Sequence, residues 1–419
     1  MKKTPLVIAL AMVAAGCGSL TETSASQILA GNLITPSNAS LIAGSVVADF
    51  ECAYAAYDVA TGLVSDELAD AQLSQAGWDY DRRTLTKFSP LTDDACAPIS
   101  NNPGSQQSPG VWAPLSTARF QGDQLLGLLK TWTDQQVPGR VQLIGQTAAY
   151  TGYALTLMGE TMCQGAIDGG PKLTPDSLLG LADAHFTTAI NNATTAADTS
   201  TLKLALLGRA RVRLDRGKPA LAAADAAQID TAFLKVATYD ASSTRRENRL
   251  WTVMYRDYFY SVQQPFWNLT FNGTPDPRVM VTNSGIKGAD NATIIYQAQK
   301  YPTIGTPIPL AHYSEAQLII AEADNDAGNS AGAIAIINKL HAKVGLPPYT
   351  GPTDQASVQA QIIYERSAEL FLEGHRLADM IRYGQTLIPL NPPAGAPFKD
   401  GGFYGTQLCF PLPVIENGT

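Results

Sequence analysis

Apolar residues in this sequence return every three or four positions through long paired segments, and small residues fall where two such segments would cross. That period belongs to helices that bury one face, and it limits the fold more than any other feature of the chain. Residues 41–62 form the first segment, with Val46, Val47, Phe50, Tyr54 and Tyr57 on one face and Thr61-Gly62 as its end. Residues 115–132 hold Leu125, Leu126, Leu128 and Leu129, and Pro138-Gly139 breaks the run. Residues 141–163 follow, where Ala148, Ala149, Gly152, Ala154 and Gly159 let a neighbour approach closely. Pro175 opens a helix to about 191, because a first-turn proline lacks an N–H that would go unsatisfied there. Helices are further expected at 202–215, 219–229, 312–326, 331–343 and about 355–382, the last capped by Thr353-Asp354. Two stretches break the pattern. One is 63–114, with Pro90, Pro98, Pro103 and Pro109 and the polar run 100–108; the other is 239–309, rich in aromatics, Asn, Gly and Pro.

The paired segments resemble tetratricopeptide units. Leu207-Gly208 occupies the Leu-Gly place, Arg216-Gly217 the turn, and Ala220, Ala224 and Ala227 the small positions where the second helix packs on the first. Arg211 stands where an aromatic is usual, so the match is partial. Ala321-Glu322-Ala323, Gly328-Asn329, Ala333 and Ile337 repeat the pattern. Such pairs cannot bury their apolar faces alone and must stack. The expected fold is therefore mainly α: an α-α superhelix of tetratricopeptide-like pairs at 41–62, 115–229 and 311–382. Irregular, loop-rich ligand-binding insertions lie at 63–114 and 239–309. A Pro- and Gly-rich tail, 383–419, wraps the surface or pairs as short strands.

The N-terminus reads as a bacterial lipoprotein leader. Lys2 and Lys3 precede a short apolar stretch, and Ala14-Ala15-Gly16 leads to Cys17, with the layout of a secretory signal ending in a lipobox. Residues 1–16 would be removed, Cys17 lipidated, and 17–40 would form the lipidated N-terminus and tether. Two or three acyl chains give stable anchoring where one does not. The net charge is −8, and loss of Lys2 and Lys3 leaves −10, which disfavours a nucleic-acid partner. Cys52, Cys96, Cys163 and Cys409 are an even set in an exported chain, so disulfides are expected, with three pairings open. The absence of a CxxC or Cys/His cluster argues against zinc, and Asp324-Asn325-Asp326 reads as a helix end rather than an ion site. No cofactor or metal is expected.

Near the C-terminus Glu365, Glu369 and Glu373 stand four apart, on one face of the expected helix. Arg366, Arg376 and the pair Asp379–Arg382 lie at three-residue spacing for ion pairs. Gly374 in mid-helix costs about 1 kcal/mol against alanine, so something must approach the backbone there. Residues 364–384 resemble the hallmark helix of the SusD/RagB family, Glu-Arg-x-x-Glu-Leu-x-x-Glu-Gly-x-Arg-x-x-Asp-x-x-Arg. Glu365, Arg366, Glu369, Glu373, Gly374, Arg376, Asp379 and Arg382 meet its named positions. Residues 311–323 with 333–345, then Phe410-Pro411-Leu412-Pro413 with Glu416, and Ser65-Asp66-Glu67 with Asp81-Arg82-Arg83, are similar to further blocks of that family in the same order.

The resemblance implies an outward-facing outer-membrane lipoprotein. Such a protein sits over a SusC-like TonB-dependent transporter barrel, captures a glycan or peptide nutrient and does no chemistry. Its repeats pack on the barrel and its irregular half carries the ligand. Sugars present apolar C–H faces, which flat aromatics with amide or carboxylate neighbours suit. The candidate contacts are Trp78, Asp79, Tyr80 and Arg82 in the first insertion, and Trp251, Tyr255, Trp267 and Asn268 in the second. Two rival readings are a scaffold lipoprotein of the envelope and an extracytoplasmic glycan-processing enzyme. Against the latter, no GxxxxGK[ST] motif is present, and adjacent Asp93-Asp94 cannot flank a glycosidic bond.

Overall fold

The computed structural model describes residues 33–96 and 109–416; the expected leader, Cys17 and the polar run 100–108 lie outside them. The chain is mainly helical. Helix α1 (Ala39–Val64) runs through the centre, and from Asp49 to Val64 every residue is buried. The segment Pro36–Val64 is apolar and long enough to cross a membrane, but 61% of its most apolar window is buried in the fold, as for the core helix of a globular domain. After α1 come β1 (Leu68–Asp70), α2 (Gln75–Asp81), α3 (Trp112–Thr131) and α4 (Arg140–Thr161). Helices α5 (Pro175–Thr195), α6 (Thr199–Asp215) and α7 (Pro219–Ala226) complete the first block. Thr174 and Asp198 cap α5 and α6, accepting from Ser177 N–H at 3.2 Å and Thr201 N–H at 3.0 Å.

Shape holds this block together. Gly145, Gly152 and Gly159 lie seven apart along α4, and Ala193, Phe186 and Leu179 lie seven apart along antiparallel α5. A Cβ on the three glycines would stand 3.2, 2.9 and 2.7 Å from those partners. Gly208 of α6 also meets Phe186, where a Cβ would lie 2.4 Å from the ring. Phe186 is fully buried and meets Tyr153 edge-on at 5.1 Å. The expected packing register of α7 is wrong: Ala220, Ala224 and Ala227 are exposed, while Ala222, Asp225 and Ala226 face inward. The helix is only two turns long, and its face is set by Asp225, which accepts from Arg209 at 2.8 Å and Arg213 at 2.7 Å.

The second insertion leaves and returns through one neck, where β2 (Leu234–Ala237) pairs antiparallel with β8 (Ile308–His312). Within it, β3 (Tyr260–Val262) pairs back to β1, β4 (Thr270–Phe271) with β5 (Thr274–Pro275), and β6 (Val281–Lys287) with β7 (Ile294–Ala298). The region expected to be irregular is therefore a set of two-stranded ribbons. The last block holds α8 (Tyr313–Asp326), α9 (Ser330–Val344), α10 (Gln355–Glu369) and α11 (Arg376–Tyr383), with Asp354 capping α10. Ala321, Ala333, Ile337, Val358 and Ile362 form its own small core.

Of the three cysteine pairings left open, the structure has Cys52–Cys96 and Cys163–Cys409. The second ties the tail to the end of α4. Beside it Phe410 is fully buried, its N–H donating to Thr161 O at 2.7 Å and its carbonyl accepting from Cys163 N–H at 2.9 Å. The tail thus enters the core rather than only wrapping the surface.

Candidate functional site

The expected helix over 355–382 is broken. α10 stops at Glu369, and residues 370–375 make a tight turn before α11, with Leu372 at φ 52° and Gly374 at φ 70°. Glu373 therefore leaves the helical face of Glu365 and Glu369. The turn prevails because its backbone finds partners elsewhere in the fold. Leu372 N–H donates to Glu67 Oε1 at 2.8 Å, and Leu372 O accepts from the Tyr301 hydroxyl at 2.8 Å. Tyr54 donates to Glu373 O at 3.0 Å and Lys300 to Phe371 O at 2.9 Å. Gly374 sits so close to α1 that a Cβ would lie 2.5 Å from Asp58 Oδ1 and 2.7 Å from Tyr57 Cε1.

The motif side chains bind three parts of the molecule together. Glu365, fully buried, accepts from His341 of α9 at 2.7 Å and Arg278 of the insertion at 2.6 Å. Arg278 also reaches Asp276 at 2.7 Å and Glu369 at 3.5 Å. Glu373 takes Lys300 at 2.7 Å and His312 at 3.0 Å. Arg366 pairs with Asp379 at 2.8 Å rather than with Glu369. Arg376 pairs with Asp66 at 2.6 Å rather than with Glu373 and lies 5.3 Å over Phe266. Arg382 joins Asp379 at 2.9 Å and pairs with Glu322. Arg211, where a tetratricopeptide unit has an aromatic, grips Glu160 at 2.5 and 2.7 Å and donates to Gly374 O at 3.3 Å. Its Nη1 also faces His375 Nε2 at 3.1 Å.

Burial divides these groups into two sets. It pushes Glu67 and Glu315 up to about 7, against the basic groups nearby, and Asp58, whose carboxylate oxygens have no hydrogen-bond partner among the described residues, well above the usual range. Glu373 is equally buried, but Lys300 and His312 outweigh burial and hold it below the ordinary value. Burial would lower His312; Glu373 reverses this and raises it. Burial and then Arg211 drive His375 well down, consistent with a neutral ring accepting from Arg211. Among the described residues no group of three or more His, Cys, Asp or Glu is placed to hold a metal.

The candidate ligand contacts fall into two places. Trp78 lies in α2 rather than in a loop. It is half-buried, donates through Nε1 to Gln72 O at 3.3 Å and meets Phe398 of the tail edge-on at 6.2 Å. Asp79 accepts from Arg82 at 3.0 Å and Ser89 at 2.6 Å, and Arg82 also pairs with Asp400. Tyr80 has no exposed surface and packs on Phe410. In the second insertion, Trp251 and Tyr255 lie in parallel planes at 6.5 Å along a π turn, Thr252–Arg256. Tyr255 donates to Ala298 O at 2.9 Å and accepts from Gln299 at 3.1 Å. Trp267 stacks on Tyr296 at 3.7 Å, with Nε1 donating to Val262 O at 2.6 Å, and Asn283 reaches the Tyr296 hydroxyl at 3.2 Å. Asn268 is exposed beside them. Tyr296, Gln299 and Asn283 were missed in the sequence. The run Ile294-Ile295-Tyr296-Gln297-Ala298 is the strand signal that would have paired Tyr296 with Trp267.

Residues 244–405 match the SusD family model. No curated protein shows significant sequence similarity to the chain. Among solved structures, a SusD superfamily protein from Bacteroides fragilis superposes with a TM-score of 0.68 at 12% identity, covering 92% of this chain and 97% of that one. A SusD superfamily protein from Bacteroides vulgatus gives 0.66 at 15% identity, covering 91% and 96%. Surface glycan-binding protein A from Bacteroides uniformis gives 0.66 at 12% identity, covering 90% and 97%. With a SusD family match across the clasp of residues 244–405 and a shape shared over nine-tenths of its length, this chain has the fold of the SusD superfamily structures.

Proposed function

We propose that this protein is a lipid-anchored protein of the outer cell surface that binds an oligosaccharide on its second insertion and hands it to a SusC-like TonB-dependent transporter barrel. One observation carries the reading. Two pairs of parallel aromatic rings, Trp251–Tyr255 and Trp267–Tyr296, lie half-buried on one ribbon-built insertion with Gln299, Asn283 and Asn268 as amide neighbours. Flat rings beside amides suit sugar rings, whose C–H faces are apolar and whose rims are hydroxylated. The solved relatives described as a SusD-like carbohydrate binding protein and as surface glycan-binding proteins support the class of ligand. Trp78, with Asp79 and Arg82, is a second, smaller contact patch in this reading, and Cys17 carries the lipid. The role is binding without turnover.

The test is calorimetric titration of the mature chain with neutral oligosaccharides. Trp267→Ala and Trp251→Ala are each expected to weaken binding by about tenfold, some 1.4 kcal/mol. Binding that survives both substitutions unchanged would overturn the assignment of the site. In a lipoprotein-processing host, Cys17→Ala is expected to move the protein from the membrane to the soluble fraction.

A further inference from the structure

A cleft outside the aromatic insertion carries a more specific signal. A cavity of about 360 Å³ opens between the start of α8 and the end of α9 and is lined by Thr231, Tyr313, Gln317, Lys339, Leu340 and Lys343. Its size lies within the roughly 300–1,000 Å³ of small-ligand sites. The wall is pinned, not loose. Tyr313 N–H donates to Phe233 O at 3.1 Å, and Leu234 of β2 pairs with His312 of β8 just before α8.

The lining surface is mostly apolar, but the polar groups set in it are almost unused by the fold. Among the described residues the side chains of Thr231, Tyr313, Gln317 and Lys339 make no hydrogen bond or ion pair to the protein. Lys343 has only the buried Ser314 hydroxyl, at 3.4 Å. Lys339 and Lys343 stand one turn apart on α9, a like-charge spacing that is unfavourable when nothing anionic lies between. No carboxylate lines this cavity. Glu369 and Glu373 line the adjoining one, of about 570 Å³, where Arg278, Lys300 and His312 compensate them, and Asp230 is paired with Lys203. The two cavities share Thr231, Tyr313 and Lys343, so a ligand can extend from one into the other. In a chain of net charge −8, this is a cationic cleft with a tyrosine ring, an amide and a hydroxyl turned toward it.

We propose that this cleft is a second saccharide site and that it takes a sugar bearing a carboxylate, such as a uronic acid. The Lys339 and Lys343 ammonium groups receive the carboxylate, Tyr313 underlies the C–H face, and Gln317 and Thr231 read hydroxyls. The choice of a sugar among carboxylates rests on the function proposed above; the anionic preference rests on the cleft alone.

The experiment titrates the mature chain with trisaccharides of galacturonic acid, glucuronic acid and sialic acid type, and with a neutral trisaccharide. At least one acidic trisaccharide is expected to bind, more weakly as salt rises. The double variant Lys339→Gln/Lys343→Gln is expected to weaken that binding by about tenfold while leaving the thermal midpoint and the neutral titration unchanged. Trp267→Ala is expected to do the reverse. Failure of all three acidic sugars to bind, or binding unaltered by the double variant, overturns the proposal. Absence of neutral binding by the unsubstituted chain, with acidic binding intact, strikes the aromatic site instead.

Discussion

The seam between α4 and α5 and the clasp around residues 365–382 hold the same molecule by opposite means. In the seam, glycines at 145, 152 and 159 admit Ala193, Phe186 and Leu179, and the partners are apolar. In the clasp, buried ion pairs join groups that are often far apart in sequence, such as Glu365 with Arg278 and Glu373 with Lys300. The seam builds a stack of helices whose close contacts carry no titratable group. The clasp fixes the orientation of the aromatic insertion against that stack, and its strength depends on protonation. A surface held by charge pairs also discriminates against alternative packings, since a misplaced partner leaves a buried charge alone.

The largest expected effect comes from breaking the charge side of this contrast at its centre. Arg211→Leu leaves Glu160 buried without its guanidinium and is expected to cost about 3–5 kcal/mol by urea denaturation. The double variant Arg211→Leu/Glu160→Leu is expected to recover most of that loss. Little recovery would mean that Arg211 acts through Gly374 and His375 rather than through Glu160.

On the shape side, Gly208→Ala drives a methyl against the fully buried Phe186 ring, at 2.4 Å before relaxation. The expected loss is about 1–3 kcal/mol, equal at pH 5 and pH 8. A loss that changes with pH would blur the distinction between seam and clasp.

A smaller effect sharpens it. Burial raises Glu67 from 4.5 to about 7. In the window between those values the folded state holds a proton that the unfolded state has released, so stability is full below the lower value and is lost as pH rises through the upper one. Glu315, also about 7, and Asp81, about 7 with Asp70 about 6, act in the same direction. Glu67→Gln keeps an oxygen for the Leu372 N–H and removes the titration. It is expected to gain on the order of 2 kcal/mol at pH 8 and almost nothing at pH 5. Equal effects at both pH values would show that Glu67 is charged throughout.

The contrast also explains what could be read in the sequence. Period and small residues are local signals, so the helices at 312–326 and 331–343 and the close approach at Gly152 and Gly159 were legible. The break after Glu369 was not. Glu365, Glu369 and Glu373 keep helical spacing, and the partners that pull Glu373 away, Lys300 and His312, lie more than sixty residues upstream. Gly374 was the one local trace of the break, because its close approach to Tyr57 and Asp58 is what the turn requires. The face of α7 was misread for the same reason: Asp225, not alanine spacing, decides it. Trp251 and Tyr255 were legible as a helical pair of rings, whereas Tyr80 was misjudged because a tyrosine beside Trp78 looks alike whether it faces solvent or Phe410.

Hydrogen exchange of the mature chain, with and without a saturating neutral oligosaccharide, tests the central claim most directly. The expected result is new protection at the amides of 251–256 and 294–299, with α4, α5 and α6 unchanged. Protection confined to those helices, or absent from both stretches of the insertion, would contradict it.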